Sequence, residues 1–282
     1  MEDVQNRRDE RRVAIDRVGV TDLRYPITVL DRLNKQQHTI ATLSMSVSLA
    51  HELKGTHMSR FIEVLNQHRG EVTMRTIPAI LEDVCARLNA DSAHLDVRFP
   101  YFLERSAPIS SATALMDYEC VFRAVGNGGN NDFIFGVKVP VTSLCPCSKT
   151  ISDYGAHNQR GEITVEVRSI KSGNGEYALV WFEELIEIAE RSASAPVYPL
   201  LKRADERYVT MQAYDNPAFV EDMVRNVAVA LQKDERIDWF QVHAVNHESI
   251  HNHGAFAEVE WHRGHTRRER ISNESAAFAL AH

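Results

Sequence analysis

The sequence predicts an α+β fold, and three observations predict it. Polar and apolar residues alternate along His38–Leu49, the pattern of a half-buried strand. Apolar residues then recur at helical spacing in Met58, Phe61, Ile62 and Leu65, and again in Ile77, Ile80, Leu81, Val84 and Leu88. The order of strands and helices around them, β-β-α-α-β-β, occurs twice along the chain, as a repeat of pattern and not of identity.

Composition sets the frame. At 282 residues the chain can bury one large core or two modest ones. No apolar run approaches the roughly 20 residues of a membrane span. The charged start Met1–Arg8 lacks the apolar core of a secretory leader, so a cytoplasmic protein with no membrane partner is expected. The net charge of -7 argues against a general nucleic-acid binder while leaving room for a local anion pocket. Four cysteines in such a chain do not suggest a disulfide framework; Cys85 and Cys120 read as buried thiols, and only Cys145 and Cys147 stand out.

In order, residues 1–18 alternate acids with arginines and are expected to form a mobile arm. The first module, 19–125, takes strands at Leu23–Leu30 and His38–Leu49, the two helices, and strands at His94–Tyr101 and Ala112–Phe122. Pro78 fits a first helical turn. Gly126–Asn131 tolerates positive φ and predicts a tight turn; no helix pattern follows it, which disfavours a phosphate-cradling loop. The second module, 132–263, takes strands at Phe133–Val141 and Glu162–Arg168. Its helices run around Phe182, Leu185, Ile186 and Ala189 and around Phe219, Met223, Val227 and Ala230, and strands at Phe240–Val245 and Phe256–Trp261 close it. Residues 264–282 read as a polar tail.

The residues that carry chemistry lie in the second module. Val139–Lys149 ends an apolar run in Cys145-Pro146-Cys147, and His157 follows ten residues after the second cysteine. Redox chemistry wants Cys-x-x-Cys, and structural zinc wants four closed ligands although no second cysteine pair exists. A catalytic metal needs only three protein donors, which Cys145 or Cys147, His157 and one further His or carboxylate would supply; the plain alternative is buried thiols beside a surface histidine. A second cluster, Asn246–His253, holds Glu248, His251 and His253; were the strand to continue, the two histidines would share a face suited to ligation or proton transfer, against the alternative of a His-rich loop. A third, Leu200–Arg207, reads by default as a solvated charge run, yet Lys202 and Arg203 could meet phosphates and Glu206 a metal. Glu221 is either a first-turn helix acid or a carboxylate facing a purine edge.

Taken together, Val139–Lys149, Tyr154–Arg160, Leu200–Glu206, Asn216–Val224 and Glu248–His253 resemble GTP cyclohydrolase type IB, the bacterial and archaeal enzyme of the tunnelling-fold superfamily. The resemblance implies two β-β-α-α-β-β modules with antiparallel sheets and helices on one face. It also implies hydrolysis of GTP to 7,8-dihydroneopterin triphosphate and formate, the entry to folate and related pterins. It further implies a divalent metal, zinc or manganese, at Cys145, His157 and Glu206 with His251 as a possible fourth donor, whose bound water would attack C8 of the base. Glu221 matches the guanine-anchoring carboxylate, and Glu248, His251 and His253 match active-site positions. Lys149, Lys202 or Arg203 would face the triphosphate, and a homotetramer would place sites at subunit interfaces. Ala195-Pro196 departs from a Cys-Glu pair found in some members. Two rivals remain: an oxidoreductase on the same fold, like the nitrile reductase of queuosine biosynthesis, and a metal-binding protein without catalysis.

Overall fold

A computed structural model describes residue 5 and residues 7–68, 71–128, 130–173 and 175–264. Four long strands make the first half: β1 (Ile15–Asp31), β2 (Lys35–Leu49), β3 (Ser92–Ser106) and β4 (Thr113–Asn127), with α1 (Met58–Gln67) and α2 (Ile77–Leu88) between the second and third. The alternation predicted for the second strand holds: Ala41, Leu43, Met45, Val47 and Leu49 are all buried. They meet α1 through Phe61, Val64 and Leu65 and α2 through the five apolar residues whose spacing predicted it. Pro78 sits in the first turn of α2, where a missing N–H costs nothing.

The second half contains β5 (Asn130–Leu144), α3 (Pro146–Ile151), β6 (Asn158–Ser169), α4 (Phe182–Ser192), β7 (Ala195–Pro196), α5 (Arg203–Asp215), α6 (Val220–Gln232), β8 (Ile237–Asn246) and β9 (Ala255–His262). The expected β-β-α-α-β-β order is present with three elements added, the helices α3 and α5 and the two-residue strand β7. Ladder pairing between β4 and β5 runs to Asn127↔Asn130, leaving a two-residue turn in which Gly128 takes φ +55°.

All named pairings are antiparallel, in the order β1-β2-β3-β4-β5-β6-β8-β9, with β7 added on β5. One apolar cluster runs under both halves. Its centre is Phe182 at the start of α4, which lies 5.9 Å from Phe99, 5.5 Å from Tyr101 and 5.6 Å from both Phe122 and Phe135, ring centre to ring centre. Beside it, the Glu183 carboxylate accepts from the Tyr101 hydroxyl at 2.9 Å and the Arg32 N–H at 3.1 Å, fastening the second half to the first.

The chain departs from the expected mobile arm over 1–18 in one respect: β1 begins at Ile15, pairing Ile15 with Leu49 and Val18 with Val47. Before it, Asp9 N–H reaches Glu52 O at 2.9 Å and Lys54 N–H reaches Arg7 O at 3.1 Å. Charged composition concealed this, because a strand at a sheet edge needs a partner backbone more than buried side chains. The polar tail expected over 264–282 lies, apart from Gly264, outside the described residues. Among the described residues no helix is long and apolar enough to cross a membrane.

Candidate active site

Two residues twelve apart in sequence become neighbours through strand register. β5 and β6 pair to their ends, Ser143 opposite Gln159 and Leu144 opposite Asn158, so the next rung of the ladder is Cys145 opposite His157. Cys145 N–H donates to His157 O at 3.1 Å. Ser148 then braces the loop inside: its backbone N–H donates to Cys145 Sγ at 3.4 Å, and its hydroxyl accepts from the His157 N–H at 3.0 Å. Cys145 is thereby the N-cap of α3, with Pro146 at the first helical position. Cys147 is exposed.

Below this pair lies a buried polar cluster that the motifs did not disclose. Ser143 is 1% exposed, Asn246 3% and Gln159 7%. The Ser143 hydroxyl donates to Ala218 O at 3.0 Å and accepts from Asn246 Nδ2 at 3.0 Å and Gln159 Nε2 at 3.3 Å. Gln159 Oε1 lies 2.9 Å from His157 Nδ1. The signal for these residues was present in the sequence: each continues an inward-facing alternation, Val139-Val141-Ser143, Gln159-Gly161-Ile163 and Val242-Ala244-Asn246, with a polar residue where an apolar one is expected.

β8 ends at Asn246, so the conditional pleat argument for His251 and His253 does not apply; they sit in the loop before β9. Their rings nonetheless stack at 5.3 Å, and His251 stands edge-on to His157 at 6.5 Å. Glu248, its side chain 12% exposed, brings a carboxylate oxygen to 4.0 Å from His157 Nδ1. A cleft of about 470 Å3 opens here, lined by Cys145, Gln159, Glu221, Glu248, His253 and Phe256 among others. Glu221, second residue of α6, is exposed, while its neighbour Asp222 caps the helix by accepting from Phe219 N–H at 3.1 Å.

The third cluster, whose default reading is a solvated charge run, forms the start of α5. Lys202 is its N-cap, and Lys202, Arg203 and Glu206 are exposed; none of the three lines the cleft. Lys149 does not stand free for a phosphate: its ammonium donates to the Tyr214 carbonyl and lies 4.3 Å from the centre of that ring, tying α3 to the end of α5. The other end of α5 is held by Asp205, a fully buried residue that the motifs passed over. Its carboxylate accepts from Ile109 N–H and Ser110 N–H, both at 2.8 Å, from the Ser110 hydroxyl at 2.6 Å and from Lys202 N–H at 2.8 Å. Burial alone would raise its pKa, but the bonds from Ser110, Lys202 and Ile109 outweigh that and hold it well below the usual carboxylate range. A depressed folded-state pKa contributes stability that is complete above the unfolded carboxyl value and is lost as pH falls through the folded one. Asp205→Asn is therefore expected to lower the melting temperature at neutral pH and to flatten its decline below about pH 4. Melting curves over pH 2 to 7 check this, and an unchanged acid limb would refute it.

The Ala195-Pro196 departure forms β7, whose residues pair with Thr142 and Val141 of β5. Backbone pairing of this kind tolerates many side chains.

In donor chemistry the site suits a divalent cation: a thiol and an imidazole on one rung, with carboxylates nearby. Assembly is less complete, since among the described residues no group of three or more His, Cys, Asp or Glu side chains is gathered to hold a metal. Cys145 and His157 are brought together; Glu206 is not in the cleft.

The chain matches the family described as Type I GTP cyclohydrolase folE2 over residues 1–257. It is 53% identical over 261 residues to GTP cyclohydrolase FolE2 of Syntrophotalea carbinolica, covering 93% of this chain and 95% of that one. It is also 53% identical over 260 residues to GTP cyclohydrolase FolE2 of Syntrophus aciditrophicus, covering 92% and 99%. Among solved structures, a uricase from Bacillus fastidious superposes with TM-score 0.54 at 8% identity, covering 93% of this chain and 96% of that one. The uricase of Arthrobacter globiformis gives 0.51 at 8% identity, covering 89% and 95%. These likenesses establish the tunnelling fold.

Proposed function

The chain belongs to the Type I GTP cyclohydrolase folE2 family and is a GTP cyclohydrolase of folate biosynthesis, and from that premise we propose how its cleft divides the work of converting GTP to 7,8-dihydroneopterin triphosphate and formate. The observation that carries the proposal is the gathering of Cys145, Glu221, Glu248 and His253 on one cleft from three separate parts of the chain, the end of β5, the start of α6 and the β8–β9 loop.

Glu221 takes the guanine edge. A carboxylate is acceptor-only and matches a pair of purine N–H donors, and Asp222 relieves Glu221 of capping duty. Glu248, His251 and His253 serve the proton transfers of ring opening and formate release. Lys202 and Arg203, exposed at the start of α5, take the triphosphate; Lys149 joins them only by giving up Tyr214. The family is consistent with a divalent metal requirement. Cys145, His157, Glu206 and His251 form the proposed donor set, with zinc suited to the thiolate and manganese to the carboxylate. A cation held there would bring the pKa of a water from about 15.7 towards ~7 and so supply a nucleophile at neutral pH.

A homotetramer with sites at subunit interfaces fits the exposure of Ile40 (54%), Leu115 (66%) and Phe256 (71%) on the sheet. Sedimentation of the full chain tests it, with a monomer as the refuting result.

The activity test is direct. The purified chain, incubated with GTP and a divalent metal, is expected to release formate and yield a pterin that fluoresces after oxidation; chelation is expected to stop both. Tight metal binding without turnover would favour the binding-protein rival, and NADPH oxidation with a nitrile-bearing deazapurine would favour the reductase.

A further inference from the structure

We propose that Gln159 is a positioning residue that holds His157 as the Nδ1–H tautomer, leaving the lone pair on Nε2, and that Ser143 sets the orientation of Gln159. The inference follows from counting protons from the bottom of the network upward. Ala218 offers a carbonyl, which can only accept, so the 3.0 Å contact spends the one proton of the Ser143 hydroxyl. Ser143 Oγ must then accept from its other two neighbours, 3.0 Å and 3.3 Å away, and the groups facing it are the amide nitrogens of Asn246 and Gln159. Turning either amide over would set oxygen against an oxygen with no proton left to give. Gln159 is thereby fixed with Oε1 towards His157, and an acceptor 2.9 Å from Nδ1 requires the proton there. The other contacts to that nitrogen, Ser249 Oγ at 3.4 Å and a Glu248 oxygen at 4.0 Å, are longer and compatible with the same proton.

The far side of the Asn246 amide is less engaged, its Oδ1 being buried with no hydrogen-bond partner. A side chain at Gly161 would come within 2.7 Å of Asn246 Oδ1, so that glycine leaves room for the Asn246 amide. The consequence for the site is orientation: an imidazole whose Nδ1–H is engaged presents one defined nitrogen to a cation or a substrate, and outer partners of this type are typically worth about 10- to 100-fold in metal affinity.

The test uses the full chain, nitrogen-15 labelled and free of metal, at about pH 8.5, roughly two units above an ordinary histidine. The ring-nitrogen spectrum of His157, identified by its absence in His157→Ala, is expected to show Nδ1 protonated and Nε2 bare. Gln159→Met keeps the volume and removes the acceptor, and is expected to shift the ring towards the Nε2–H form, to weaken zinc binding by about 10- to 100-fold and to lower kcat with little change in KM. Gln159→Glu combined with Ser143→Ala, which keeps an acceptor towards Nδ1 and removes the hydroxyl that the second carboxylate oxygen would otherwise face without a proton, is expected to restore the tautomer. If Gln159→Met does not fold, Ser143→Ala carries the test by releasing the amide to turn, with a shift in the same direction expected. An Nε2–H ring in the unsubstituted protein, or an unaltered tautomer in the variants, would overturn the inference. The zinc measurement alone rests on His157 being a metal donor: a shifted tautomer with unchanged zinc affinity would remove that role and leave the positioning intact.

Discussion

Cys145→Ala is expected to abolish formate release from GTP while the protein stays folded. The side chain is half-buried at the mouth of the cleft, and its one described hydrogen bond is the long contact from Ser148 N–H at 3.4 Å. Loss of that cap should cost about 1 kcal/mol. The backbone bond from Cys145 to His157 survives the substitution, so the loop keeps its closure. Activity, by contrast, should fall by well over the ~100-fold typical of residues that only support a ligand, because alanine offers no donor at all. Formate assay, bound-metal analysis and a melting curve on one preparation separate the effects. An active variant with a full complement of metal would refute the ligand role, and an unfolded one would refute the stability argument.

Phe182→Ala is expected to give the largest loss of stability, about 3–5 kcal/mol. Phe182 is 7% exposed and touches Phe99, Tyr101 and Phe122 from the first half and Phe135 from the second. Removing the ring opens a cavity at the place where the halves share a core, and the rings around it cannot all close in. Because the sheet is continuous through the β4–β5 pairing, unfolding is expected to remain a single transition with a lower midpoint in urea. A loss under about 1 kcal/mol would show that the neighbours repack freely.

Most of the secondary structure was legible because the core-facing residues obey simple periods. The alternation in His38–Leu49 and the helical spacing from Ile77 to Leu88 report burial directly, and the structure buries those residues on one sheet face and one helix face. α5 was illegible for the opposite reason. Only Asp205 and Ala213 are buried along it, so it has almost no apolar stripe, and it is held instead by Asp205 at one end and the Lys149–Tyr214 contact at the other. β1 was underestimated at its start because charged composition resembles a tail until a partner strand is supplied.

For the site, residue types and spacing offered Cys145 or Cys147 with His157 as donors and drew attention to Glu206, Glu221, Glu248, His251 and His253, since ligands and proton carriers come from a short list of side chains; the choice of Cys145 and the roles of the others came from the family resemblance. Proximity was another matter. Cys145 and His157 meet because two strands pair to their last rung, and Glu221 joins them because Ala218 N–H binds Leu144 O at 3.1 Å and anchors the entry to α6 beside the end of β5. The sequence by itself therefore determined the α+β repeat, the family and the chemical inventory, all of which depend on local patterns. Only the tertiary structure decided which members of that inventory share a cleft, that Lys149 is already engaged, and that Ser143, Gln159 and Asn246 lie beneath His157. Those facts depend on register and on hydrogen bonds between residues as far apart as 143 and 246, a separation that no local pattern in the chain encodes.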